Sequence, residues 1–85
     1  MDAPVTSVEL RRPDARRLVL RAGAPVDVLV VACDPTTGSA AYLHVALDAV
    51  PTVVMAPLGG AGVVIEVVDA LSGATLARSE AAPPA

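Results

Sequence analysis

Apolar and polar positions alternate with a period of two along most of this chain. Clusters of Pro, Gly, Asp and Ser interrupt the alternation at intervals. A period of two is the mark of a strand with one covered face, and the interruptions are turn signals. In the segment 5–10, Val8 and Leu10 lie on one side and Ser7 and Glu9 on the other, until Pro13-Asp14 breaks the run. Leu18 and Leu20 point inward from a second strand while Arg17, Val19 and Arg21 point outward. From Pro25 to Cys33 the chain is apolar on both sides, as expected of a strand covered on both faces or lying at an interface. Tyr42 to Asp48 alternates most cleanly, with Leu43, Val45 and Leu47 inward and Tyr42, His44, Ala46 and Asp48 outward. Thr52–Ala56, Val63–Asp69 and Ala74–Ser79 complete the set, and Val63, Ile65 and Val67 share one face. The breaks are Asp34–Ser39, Pro57–Gly62 and Ala70–Gly73. No stretch keeps a helical period over three turns. The pattern predicts an all-β fold, a small sandwich of about seven antiparallel strands.

Composition narrows how such a fold is filled. The chain has 85 residues, enough for one domain, and folding buries only about 60% of the unfolded surface at this size. It has one Tyr and no Phe or Trp, so Val, Leu and Ala must fill the core. The sandwich is expected over 5–80, between an N-terminal arm, 1–4, and a Pro/Ala tail, 81–85. The windows Val28–Ala32 and Val63–Val68 are rich enough in β-branched residues to aggregate if exposed, and Asp27, Asp34, Glu66 and Asp69 flank or interrupt them as gatekeepers. The start of the chain has neither the charged nor the apolar region of a signal peptide. The longest uncharged run, 49–65, is broken by Pro51, Pro57 and Gly residues, so a membrane helix is not expected.

Charge is unevenly placed. Residues 1–21 hold five Arg against three acids, a balance of +2; the remainder holds one Arg against six acids, a balance of −5. Arg11, Arg12, Arg16 and Arg17 form a basic cluster suited to an acidic protein surface. The plainer reading is that these Arg residues keep strand edges soluble.

Chemistry-bearing residues are sparse. His44 is the single His and is expected outward on a regular strand, so nucleophilic catalysis has no natural base. Cys33, the lone Cys, forms no internal disulfide and is expected to be a buried, inert thiol. Gly59-Gly60-Ala61-Gly62 lacks the Lys and helix start of a phosphate loop and reads as a hairpin loop. Asp34, Asp48 and Asp69 stand at separate turns, as turn formers do, instead of converging as calcium ligands. Negative net charge and a single aromatic argue against nucleic acid. No cofactor, metal or small-molecule substrate is expected.

The order Val5-Thr6-Ser7-Val8-Glu9-Leu10, Pro13, Leu18-Val19-Leu20, Gly23, then alternating Val26, Val28 and Val30 before Asp34-Pro35 resembles the opening of bacterial immunoglobulin-like domains. Gly62 to Asp69, with Ser72-Gly73 and Thr75-Leu76, is similar to the last hairpin of the same sandwich. The family's core aromatic on the third strand has only Tyr42 as a counterpart here, and Val or Ile stands on the penultimate strand. The resemblance implies a spacer, adhesion or accessory module without fixed chemistry.

Together these readings predict a non-enzymatic accessory protein. Its expected role is a decoration or stabilising subunit on a phage-like capsid or tail lattice, virion-located and made in the host cytoplasm. Its partners would be lattice proteins or copies of itself. Arg11, Arg12, Arg16 and Arg17 would meet an acidic patch, and the extra apolar residues Val54, Leu58, Val64 and Val68 would be covered in the assembly. The alternatives are a cytoplasmic adaptor or inhibitor with one protein partner, and an adhesion or surface-binding module.

Overall fold

The computed structural model describes residues 7–60 and 62–79. Its seven strands are β1 (Val8–Arg11), β2 (Arg17–Ala22), β3 (Val26–Cys33), β4 (Ala40–Leu47), β5 (Thr52–Met55), β6 (Val64–Asp69) and β7 (Thr75–Ser79). They form two antiparallel sheets, ordered β1-β2-β5 and β4-β3-β6-β7. The all-β sandwich expected from the period-two pattern is present. The expected arm and tail, together with Val5 and Thr6, lie outside the described residues.

One face of each sheet supplies the core. Leu18, Leu20 and Ala22 of β2 are buried with Val28, Val30 and Ala32 of β3, Leu47 of β4, Val63, and Ile65 and Val67 of β6. Each fully buried Val or Leu contributes about 1.5–3 kcal/mol, so this set of small side chains does the work that aromatics do elsewhere. The aggregation-prone windows become β3 and β6, the two central strands of the larger sheet. Both ladder edges of each are therefore occupied, which removes the free edge that aggregation needs.

Two of the connections use the same turn. Asp34-Pro35-Thr36-Thr37-Gly38-Ser39 joins β3 to β4, and Asp69-Ala70-Leu71-Ser72-Gly73-Ala74 joins β6 to β7. In each, the first Asp N–H donates to the carbonyl of the sixth residue at 2.8 Å, and the Gly N–H donates back to the Asp carbonyl. The Asp Oδ1 accepts the N–H two residues on, from Thr36 at 2.9 Å and Leu71 at 2.8 Å. A hydroxyl, Thr37 or Ser72, accepts the N–H two residues beyond it at 3.2 Å. Gly38 and Gly73 take φ of 76° and 78°, where a Cβ would be strained. The Asp-x-x-Ser/Thr-Gly spelling thus encodes each turn through its own side chains. Asp48 follows the same logic, its Oδ1 accepting the Val50 N–H at 2.9 Å.

Two expectations are corrected. Cys33 is exposed. Val28, Val30 and Ala32 point into the core, so by strand alternation Cys33 must point out. The strand β5 ends at Met55, although the Ala56 N–H still donates to the carbonyl of Arg16, the next residue in the β2 register, at 2.7 Å before Pro57. From there the chain folds Leu58 back against the core.

Candidate functional site

The outer face of the three-stranded sheet gathers three of the six arginines, Arg11, Arg17 and Arg21. Register sets Arg11 opposite Val19, Val19 opposite Val53, and Arg17 opposite Met55. Glu9 lies opposite Arg21, whose Nη2 reaches its carboxylate at 3.1 Å. Asp14 organises the approach to β2: its Oδ1 accepts the N–H groups of Arg16 and Arg17 at 2.8 Å, and its Oδ2 accepts Arg17 Nε at 2.8 Å. Those backbone bonds first, then the Arg17 side chain, hold the Asp14 carboxyl below the usual carboxylate range. The Arg17 guanidinium is thereby held on Asp14, in the connection between β1 and β2.

Beside these residues lie apolar side chains. Val53 is 63% exposed and Met55 59% exposed, both on the edge strand β5, and Val19 is half-buried between them and Arg11. Among the described residues, Arg11 and Arg16 form no ion pair. The result is an exposed apolar stripe along the β5 edge, with the guanidinium groups of β2 and β1 on its inner side.

Arg12 does not belong to that surface, which corrects the four-residue cluster. It is 9% exposed, and its Nη1 donates to the Val63 carbonyl at 2.6 Å across a separation of 51 residues. Burial lowers its pKa from the ordinary guanidinium value. Arg12 ties the β1–β2 connection to the residue that leads into β6. Val54 and Leu58 are also corrected as extra apolar positions, because both pack against the core. Val54 pairs with Leu18, so the outward residues of β5 are its neighbours Val53 and Met55.

The outer face of the four-stranded sheet has a different make-up. Leu29 and Val31 of β3 and Val64 and Val68 of β6 are half-buried, in rows that pair Leu29 with Val68 and Cys33 with Val64. Tyr42 on β4 is 71% exposed. Glu66 and Arg78 face each other at 3.7 Å. A shallow hollow is lined by Leu29, Val31, Ala40, Ala41 and Tyr42. His44 is exposed on this face, but the Val31–Tyr42 row separates it from Cys33, so the two do not meet as base and nucleophile.

Comparison with protein-family models, curated proteins and solved structures returned no match.

Proposed function

We propose that this protein is a non-enzymatic accessory subunit that docks through the outer face of its three-stranded sheet. The partner is an acidic protein surface in a repeated assembly, of the kind a capsid or tail lattice presents. The observation that carries the reading is the exposure of Val53 and Met55 on the edge strand β5, flanked on one side by Arg17 and Arg21 of β2 and Arg11 of β1. Protein interfaces favour an apolar centre with Arg, and flat sheet faces of this kind bind by contact area. The order β1-β2-β5 against β4-β3-β6-β7 supports an immunoglobulin-like sandwich, a fold that serves widely as an accessory module.

The test is sedimentation of the native protein from its source lysate, followed by mass spectrometry of what travels with it. Many copies pelleting with very large particles are expected. A small complex with one partner would replace the lattice reading with the adaptor reading. Arg11→Glu combined with Met55→Glu is expected to weaken particle binding at least 10-fold, and more so at low salt, where the charge term is least screened. Unchanged binding by this double variant would remove the docking face.

A further inference from the structure

The sandwich has four edge strands, and three of them are guarded. β1 and β5 span four residues each; β1 carries Glu9 and Arg11, and β5 runs between Pro51 and Pro57. β7 carries Arg78, has an irregular register opposite Val67/Val68, and packs along β1. Short length, charge, proline and bulges are the usual defences of an open edge. β4 has none of them. It runs eight residues, Ala40–Leu47, pairs with β3 without a register break, and contains no Pro, acid, Arg or Lys. Among the described residues no strand lies beyond it.

The phase of its hydrogen bonds is fixed by the turn. Asp34 N–H donates to the Ser39 carbonyl, so the peptide groups of Ser39 face β3. By alternation, those of Ala41, Leu43, Val45 and Leu47 do the same. The N–H and C=O groups of Ala40, Tyr42, His44 and Ala46 therefore point off the edge.

We infer that this edge pairs with β4 of a second copy, antiparallel about a two-fold axis at Leu43. This register sets Ala40 opposite Ala46 of the second copy and Tyr42 opposite His44, and the two-fold repeats both pairs. Every outward peptide group of Ala40, Tyr42, His44 and Ala46 then finds its partner in that same set. Sliding the pairing by one step either way spoils this match. One slide sets Ala40 against Asp48, whose carbonyl already accepts the Ala22 N–H. The other sets Ala46 against Gly38, whose N–H already donates to Asp34.

Charge selects the same arrangement. Asp48 follows β4 directly, and antiparallel pairing carries the two Asp48 carboxylates to opposite ends of the ribbon, whereas parallel pairing would set them side by side. The exposed ring of Tyr42 gains a cross-strand neighbour in the imidazole of His44. A ribbon of this length lies at the small end of specific interfaces, so the dimer depends on concentration. The contact uses the larger sheet and leaves the three-stranded face open. It therefore goes beyond the docking reading, and either stands if the other fails.

Amide hydrogen exchange of the whole chain, followed alongside sedimentation equilibrium at low and high concentration, tests the pairing. The amides of Ala41, Leu43, Val45 and Leu47 are expected to be protected at both concentrations. Those of Ala40, Tyr42, His44 and Ala46 are expected to slow together, at least 10-fold, as the dimer forms. His44→Pro deletes one outward N–H without touching the β3 ladder and should abolish the dimer. If that variant unfolds, His44→Lys, which sets two ammonium groups diagonally across the axis, should weaken dimerisation at least 10-fold. A chain that stays monomeric at all concentrations, or a dimer whose outward amides remain unprotected, overturns the inference.

Discussion

The two outer faces of the sandwich invert what their strands look like in sequence. β3 is the most continuously apolar strand, yet its outward side chains Leu29 and Val31 are half-buried in the middle of a four-stranded sheet. β5 is four residues long and unremarkable in composition, yet Val53 and Met55 are among the most exposed large apolar side chains described. The difference is position in the sheet. A central strand has neighbours on both sides whose side chains cover much of its outer surface. An edge strand has one neighbour, and its outward residues remain in water. Apolar content therefore reports lateral crowding on the larger sheet, while exposure on the smaller one marks a surface available for contact.

The sharpest break of this comparison would come from β5. Val54 faces the core and Val53 faces solvent, so the same substitution should give opposite results one residue apart. Val54→Lys puts an amine at a half-buried position that packs against the core and is expected to cost about 2–3 kcal/mol. Val53→Lys should stay within about 0.5 kcal/mol of the parent. Urea denaturation midpoints check both. Equal effects would mean that β5 is rotated and that the exposed stripe does not exist.

A second contrast separates Arg12 from its neighbour. Arg12→Ala removes a buried charged hydrogen bond to the Val63 carbonyl, and a loss of about 1.5–3 kcal/mol is expected. Arg11→Ala, on the exposed face, should leave stability within about 0.5 kcal/mol. If Arg11 mattered more to folding than Arg12, the border of the docking face would be a structural element and not a contact surface. On the opposite face, Val68→Arg should keep the fold at a cost of about 1 kcal/mol, because the side chain is only half-buried. It should also leave particle binding unchanged, since the docking stripe is on the other sheet. Co-sedimentation of the variant measures this, and a loss of binding would move the contact to the four-stranded face.

These contrasts locate what was legible in the sequence. Leu18 and Leu20, then Val63, Ile65 and Val67, alternate with polar or basic residues or follow a clear turn, and their inward placement could be read directly. The doublet Val53-Val54 gives no alternation, so its phase is set only by pairing with β2, where Val54 meets Leu18. Counting by twos from Val28 through Val30 and Ala32 puts Cys33 outward; an apolar run read as buried on both sides hid that signal. Five Arg residues look alike in the N-terminal segment, and nothing local marks Arg12 for burial. Its acceptor lies 51 residues away, in a carbonyl that any residue at position 63 would supply. Val19 and Arg21 join the candidate face for the same non-local reason, through register with β1 and β5. The repeated Asp-x-x-Ser/Thr-Gly turn, by contrast, is wholly local and was available from spelling alone.

The smallest expected effect concerns how firmly the basic border is held. Asp14 accepts the N–H groups of Arg16 and Arg17 and pairs with the Arg17 guanidinium, contacts that all favour the charged carboxylate. Its folded-state pKa is therefore depressed. A depressed carboxyl binds fewer protons folded than unfolded, so its stabilisation is fully present above the unfolded value, about 3.9, and is lost as pH falls through the folded value. The group is solvent-exposed, so the effect on global stability is small. Asp14→Asn keeps one oxygen, which can accept both backbone bonds, but removes the charge and the second oxygen that holds the Arg17 side chain. The variant should lose the acid-side drop assigned to Asp14, seen as a flatter stability profile below pH 4 in parallel urea titrations. It should also loosen Arg17, measurable as broader side-chain motion by NMR at neutral pH, while the amides of β2 stay protected. If Arg17 keeps its order in the variant, Asp14 is a turn former alone, and the border of the docking face is aimed by the sheet itself.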